Sequence, residues 1–164
     1  MTPGGFQPAG APLHAHLPVL AAFAPAAPPP RCVMTRRFSK HYTRSEAQAL
    51  LPQVRLWLKR LVQCRKDLQK HEKRLSARQS LGRDLGGELV NLWVRTLVDI
   101  RETLYEFYQR EIQVKDLDRG LIDFPAILNG KEVFLCWEQA EGQIEFWHDL
   151  DAGYAGREPL EGFE

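Results

Sequence analysis

His148, Asp149 and Asp151 fall within four consecutive positions of "FWHDLDAGYAGREPL" (residues 146–160), ahead of Gly153, Gly156 and Arg157. An imidazole and carboxylates are ligand types used for Zn, Mn or Fe. Asp123, and further off Glu111, Asp116 or Asp118, could complete such a set. The spacing matches no standard loop. Counted from Asp149, an EF-hand lacks its sixth-position Gly and ends on Leu160; counted from Asp151, Gly156 fits but Gly162 stands where Glu is needed. Along an extended strand His148 and Asp149 also point to opposite faces, so one ion cannot reach both unless the strand bends.

The favoured expectation for this corner is therefore structural. His148 turns inward and is satisfied by Glu106, Glu111 or a backbone carbonyl, since buried polar groups nearly always find partners. Asp149 and Asp151 pair with Arg157 or Arg119 and fix the loop between the two glycines. A divalent metal on His148, Asp149, Asp151 and Asp123 ranks second, and no cofactor is assigned.

Other chemistries find less. Cys136 has no His expected on its face, and Ser39, Ser45, Ser76 and Ser80 lie outside any nucleophile-elbow pattern. "LGRDLGGEL" lacks the Lys-Ser/Thr of a phosphate loop. The chain's three cysteines show neither a disulfide framework nor metal-ligand spacing, as expected of a cytoplasmic protein. Arg55, Lys59, Lys66, Lys70 and Lys73 recur at helical spacing and form a basic face. Phosphate binding needs such a face, but no RNA-binding aromatic signature accompanies it, so nucleic acid ranks low as a partner.

The elements that must carry these residues can be read from periodicity. "YTRSEAQALL" opens a helix, with Thr43 and Glu46 at capping-box spacing. Ala47, Leu50, Val54, Trp57, Leu61, Cys64, Leu68, His71 and Leu75 follow as a seam, with Pro52 expected to kink or split it. Gly82, Gly86 and Gly87 end that helix. A second seam runs through Val90, Trp93, Leu97, Ile100, Leu104, Phe107, Glu111 and Val114. Two helices with a short Gly-rich link should form an antiparallel hairpin over about 44–114. The period then changes to two. Asn129-Gly130 and Glu141-Gly142 mark the turns of a three-stranded meander over about 121–150, followed by a C-terminal loop, 151–164.

Register carries the sharpest expectation. Two-residue turns at both sites set Ile122 opposite Trp137 and Leu135 opposite His148. One face then carries Ile122, Phe124, Ala126, Val133, Leu135, Trp137, Ile144, Phe146, His148 and Leu150, with His148 its one strongly polar member. That face should cover the hairpin. The other carries Asp123, Phe134, Cys136, Glu138, Glu145, Trp147 and Asp149, and its apolar spot of Phe134, Cys136 and Trp147 suggests an interface.

The net charge of +1 hides an asymmetry: residues 44–78 carry ten basic and three acidic groups, and residues 99–164 six basic and sixteen acidic. Two halves that pack together would neutralise each other. Residues 1–30 hold eight of the eleven prolines and no charged side chain. Residues 1–36 are thus read as a disordered extension rather than a signal peptide, whose basic n-region is missing. Organised sequence begins just after Met34, an alternative start. No apolar run is long enough to span a membrane.

"RFSKHYTRSEAQALLP", "VKDLDRGLIDFPA", "GKEVFLCW" and "FWHDLDAGYAGREPL" resemble the bacterial family catalogued as domain of unknown function 2203, over about Arg37 to Leu160. The resemblance implies a small prokaryotic protein whose β-region belongs with the preceding helices, and it brings no catalytic residue. The expectation is an α+β protein with a single domain over 37–164. The function expected first is that of a non-enzymatic cytoplasmic binding or scaffold module that self-associates or binds another protein, with no membrane partner. A metal- or ligand-binding enzyme centred on His148, Asp149 and Asp151 is the alternative.

Overall fold

The computed structural model describes residues 36–85 and 87–160. The expected disordered extension lies almost wholly outside the described residues, as do Gly86 and the last four positions. Two helices, α1 (Arg44–Ser80) and α2 (Glu88–Tyr108), precede five strands: β1 (Gln113–Asp116), β2 (Leu121–Leu128), β3 (Lys131–Trp137), β4 (Phe146–Asp149) and β5 (Glu158–Pro159). The strands form one antiparallel sheet in sequence order. The class is α+β, and the three expected strands are the centre of a wider sheet. Among the described residues no helix is long and apolar enough to cross a membrane.

Local chemistry explains the first elements. Thr43 Oγ accepts from Glu46 N (3.2 Å) and Glu46 Oε2 accepts from Thr43 N (2.9 Å), so the capping box forms. Pro52 does not split the helix: α1 runs unbroken through it, with the ring exposed. Trp57 meets Phe107 edge-on at 5.2 Å and Arg60 meets Asp99 at 2.7 Å, which sets the two helices antiparallel.

The expected phase of α2 needs correcting. Its buried residues are Leu89, Thr96, Thr103 and Phe107, whereas Leu97 and Leu104 are exposed. The two threonines enter the interior because their hydroxyls donate to Leu92 O (3.0 Å) and Asp99 O (2.8 Å) within the helix. The helix also ends earlier than expected. Glu111 adopts φ +56°, and the chain turns into β1, so Val114 is a strand residue.

The Glu111 carboxylate accepts from Ser39 N (2.9 Å), Ser39 Oγ (3.0 Å) and Lys40 N (2.6 Å). Glu132 on β3 accepts from Arg37 N (2.7 Å) and Phe38 N (3.1 Å) and meets His41 Nε2 at 2.8 Å. These two carboxylates, one just ahead of β1 and one on β3, hold residues 37–41 in place. The main core lies between one sheet face and α1, where Ile122, Phe124, Val133, Leu135 and Trp137 meet Leu51, Val54 and Leu58.

Asn129-Gly130 makes the expected turn, and Ile122 pairs with Trp137. The second link differs. β3 ends at Trp137 and β4 begins at Phe146, so residues 138–145 form a folded loop rather than a two-residue turn. Glu141 N donates to Glu138 O (2.8 Å), Glu138 N to Glu141 Oε2 (2.8 Å) and Trp137 Nε1 to Glu141 O (3.1 Å). Helix α1 grips the loop from outside. Arg55 donates to Gln139 O and Glu141 O, Arg44 donates to Ile144 O, and Gln48 Oε1 accepts from Ile144 N. Held this way, β4 enters one residue out of the expected register: His148 stands opposite Phe134, not Leu135. A slip of one residue exchanges the faces of a strand.

Candidate metal centre

The slip moves His148 off the helix-facing side. It joins Asp123 of β2 and Cys136 of β3 on the opposite face, where Asp123 and Cys136 are direct cross-strand partners. Three adjacent strands thus supply one donor each. A carboxylate oxygen of Asp123, Sγ of Cys136 and a ring nitrogen of His148 all lie within 4.8 Å of one another. The residues are 1%, 0% and 2% exposed, so the cluster is shut away from bulk water.

Hydrogen bonding defines the imidazole. Nδ1 of His148 lies 2.7 Å from Asp149 O. A carbonyl can only accept, so Nδ1 donates to it and Nε2 is the nitrogen turned into the cluster, 3.2 Å from Asp123 Oδ2. That second contact needs a hydrogen of its own, on Nε2 or on the carboxyl, which a metal at Nε2 would displace. Fixing one ring nitrogen on a backbone carbonyl is how metal-binding histidines are commonly oriented. The other Asp123 oxygen, Oδ1, is buried with no hydrogen-bond partner among the described residues. Burial, and then the nearby Asp123 carboxylate, push the Cys136 thiol well above its ordinary range, so without a metal it keeps its proton.

The surroundings are aromatic and basic. Phe134 lies 5.6 Å from the His148 ring, and Phe38 from the N-terminal segment packs edge-on against Phe134 at 5.3 Å. Lys115 reaches in from β1, with Nζ 3.7 Å from Asp123 Oδ2 and 4.9 Å from the Phe134 ring centre. The β1 pairing shifts between Val114 and Asp116, placing Lys115 at an irregular step of the edge strand.

This donor set suits a borderline metal such as zinc. Tetrahedral coordination at ~2.0–2.3 Å separates donors by roughly 3.5 Å. The Asp123–His148 contact is already in that range, and small rotations of Asp123 and Cys136 would close the rest. Asp123 Oδ1 or a water could complete a fourth position.

Of the residues expected from sequence as metal ligands, His148 and Asp123 come together and Asp149 and Asp151 do not. Asp149 turns away and pairs with Lys131 at 2.7 Å, while the Asp151 side chain is 98% exposed, 3.8 Å from Arg37. The expected loop ion pairs are also replaced. Arg157 binds Glu141 (2.7 and 2.9 Å) and Arg119 binds Glu138 through two nitrogens (3.0 and 2.8 Å), and both guanidinium groups lie over the Tyr154 ring, at 4.9 and 4.1 Å from its centre.

The expected interface of Phe134, Cys136 and Trp147 does not form a surface. Phe134 and Cys136 are buried, and Trp147 faces the helix-side core. On the basic face Lys59, Lys66, Lys70 and Lys73 are exposed, but Arg55 is spent on the 138–145 loop and lies over the Trp137 ring at 4.7 Å. The register expected from two-residue turns puts no His beside Cys136, so the sequence alone does not mark it as a ligand. One signal was present. Only the slipped register gathers all three potential donors on one face.

The family model described as "Uncharacterized conserved protein (DUF2203)" matches residues 40–160, which include all three donors and both helices. The chain belongs to this family. No curated protein and no solved structure matches the chain.

Proposed function

We propose that the protein binds one divalent transition metal, with zinc the best fit, through Asp123, Cys136 and His148. The observation that supports this reading is the convergence of three different donor types on a buried point, with the histidine already oriented through Asp149 O. The role is non-enzymatic. All three donors are at most 2% exposed, so a substrate has no route to a fourth position on the ion, which a catalytic site must offer. Here the ion would tie β2, β3 and β4 together beneath Phe38 and Phe134. Because Cys136 holds its proton in the metal-free protein, binding must release that proton, and apparent affinity should rise with pH.

The test is elemental analysis of full-length protein purified without an affinity tag, followed by cobalt titration of chelator-treated protein. One bound ion per chain is expected, with a thiolate-to-cobalt absorption band that is lost in Cys136→Ser and His148→Ala and retained in Asp151→Ala. Absence of both a stoichiometric metal and a cobalt band would overturn the reading.

A further inference from the structure

An ion held by Asp123, Cys136 and His148 needs a way in and out, and the closed structure offers none, since the three donors are 1%, 0% and 2% exposed. Two possible openings are costly. The helix side of the sheet is the main core, where Ile122, Leu135 and Trp137 pack with residues of α1. Parting the donor strands would break continuous ladders, from Ile122–Trp137 to Leu128–Lys131 between β2 and β3 and from Cys136–Phe146 to Val133–Asp149 between β3 and β4.

The face that carries the cluster is closed differently. Phe134 stands directly opposite His148, with its ring 5.6 Å from the imidazole, and Phe38 packs edge-on against that ring at 5.3 Å. Phe38 is half-buried, while Arg37, Ser39 and Lys40 around it are exposed. These residues precede α1 and belong to no helix or strand. Their four amides donate to side chains, those of Arg37 and Phe38 to Glu132 and those of Ser39 and Lys40 to Glu111. The firm anchor comes next in the chain. Tyr42 N donates to Pro125 O (2.8 Å), its hydroxyl donates to Arg110 O (2.9 Å), and its ring meets Phe124 edge-on at 5.5 Å. A segment anchored at Tyr42 and otherwise held by two carboxylates can lift without breaking a strand pair, which is how low-cost local opening arises.

We infer that residues 37–41 are a strap that gates metal exchange: Phe38 latches Phe134 over His148, and the ion enters and leaves when the strap lifts. The inference rests on the metal reading above. It gives the strap control of rate rather than affinity. No strap residue supplies a donor, and contacts that are the same with and without the ion do not shift the binding equilibrium.

The experiment is stopped-flow cobalt exchange on the full chain, following the thiolate-to-cobalt band during uptake and during release into excess chelator. Phe38→Ala and Glu132→Gln should each speed uptake and release by about tenfold, the scale set by loss of one aromatic contact or of a charged acceptor. The dissociation constant should stay within about threefold of wild type. Val54→Ala, in the helix-side core and away from the strap, should lower stability but leave both rates close to wild type, because release does not wait on global unfolding. Unchanged rates in both strap variants, equal acceleration in Val54→Ala, or faster release matched by an equal loss of affinity would each overturn the gate. Wild type that takes up no cobalt would sink the metal reading and the gate with it, an outcome distinct from cobalt bound at rates the strap variants leave alone.

Discussion

His148→Ala is the most informative single change, because it breaks the cluster from inside. In chelator it removes the bond to Asp149 O and the contact with Asp123 Oδ2. It also leaves a carboxylate that is 1% exposed with Lys115, at 3.7 Å, as its remaining ion-pair partner among the described residues. Breaking a buried pair by deleting one partner costs about 3–5 kcal/mol. Lys115 is 39% exposed and supplies part of the lost compensation, so the lower end, about 3 kcal/mol, is expected. Asp123→Asn is the companion variant. An amide keeps the shape and can donate to Nε2, so its cost in chelator should be only about 1 kcal/mol. Urea denaturation of both variants beside wild type measures these differences. Excess zinc at a hundred times its dissociation constant should add about 2.7 kcal/mol to wild type, and neither variant should gain comparably. A loss below about 1 kcal/mol for His148→Ala in chelator would refute the reasoning, since a buried pair cannot be broken that cheaply.

Three further outcomes follow from other parts of the molecule. The raised Cys136 thiol gives stability that is present below its unfolded value of 9.0 and is lost as pH rises toward the folded value. Metal-free wild type should therefore weaken above pH 9.0, and Cys136→Ser should show a shallower alkaline limb in denaturation at several pH values. Glu111 is held below its ordinary range chiefly by the Lys40 amide; Glu132 is opposed by burial but lowered by the Arg37 and Phe38 amides and by His41. Both stabilise the fold above their unfolded value of 4.5, and that stability is lost as pH falls through the lower folded values; Glu132→Gln should flatten the acid limb and speed amide exchange at Arg37 and Phe38. Arg55→Ala removes two donors to the 138–145 loop, and a loss of about 1–3 kcal/mol is expected in urea denaturation.

What the sequence disclosed is what neighbouring residues decide among themselves. The Thr43–Glu46 cap and the Asn129-Gly130 turn are set by residues adjacent in the chain, and both stand where expected. The phase of α2 was ambiguous, because the helix has two apolar faces. Burial of Thr96 and Thr103 depends on backbone bonds that no count of hydrophobic residues reveals. The register of β4 was hidden for a different reason. It is fixed by Arg44, Gln48 and Arg55, each more than eighty positions from the loop atoms they hold. Ile144 keeps its expected place in the core, but the alternation breaks before Phe146, and with it the expected environment of His148. The cluster's residue types were visible in the sequence; their meeting depended on that distant grip.

Anomalous diffraction from zinc-loaded crystals, recorded at the zinc edge, tests the central claim most directly. The account places one peak among Asp123, Cys136 and His148, at ~2.0–2.3 Å from an Asp123 oxygen, Sγ and Nε2, with Nδ1 still donating to Asp149 O. A peak at Asp149 or Asp151 instead, or no peak with Nε2 still bonded to Asp123, would contradict it.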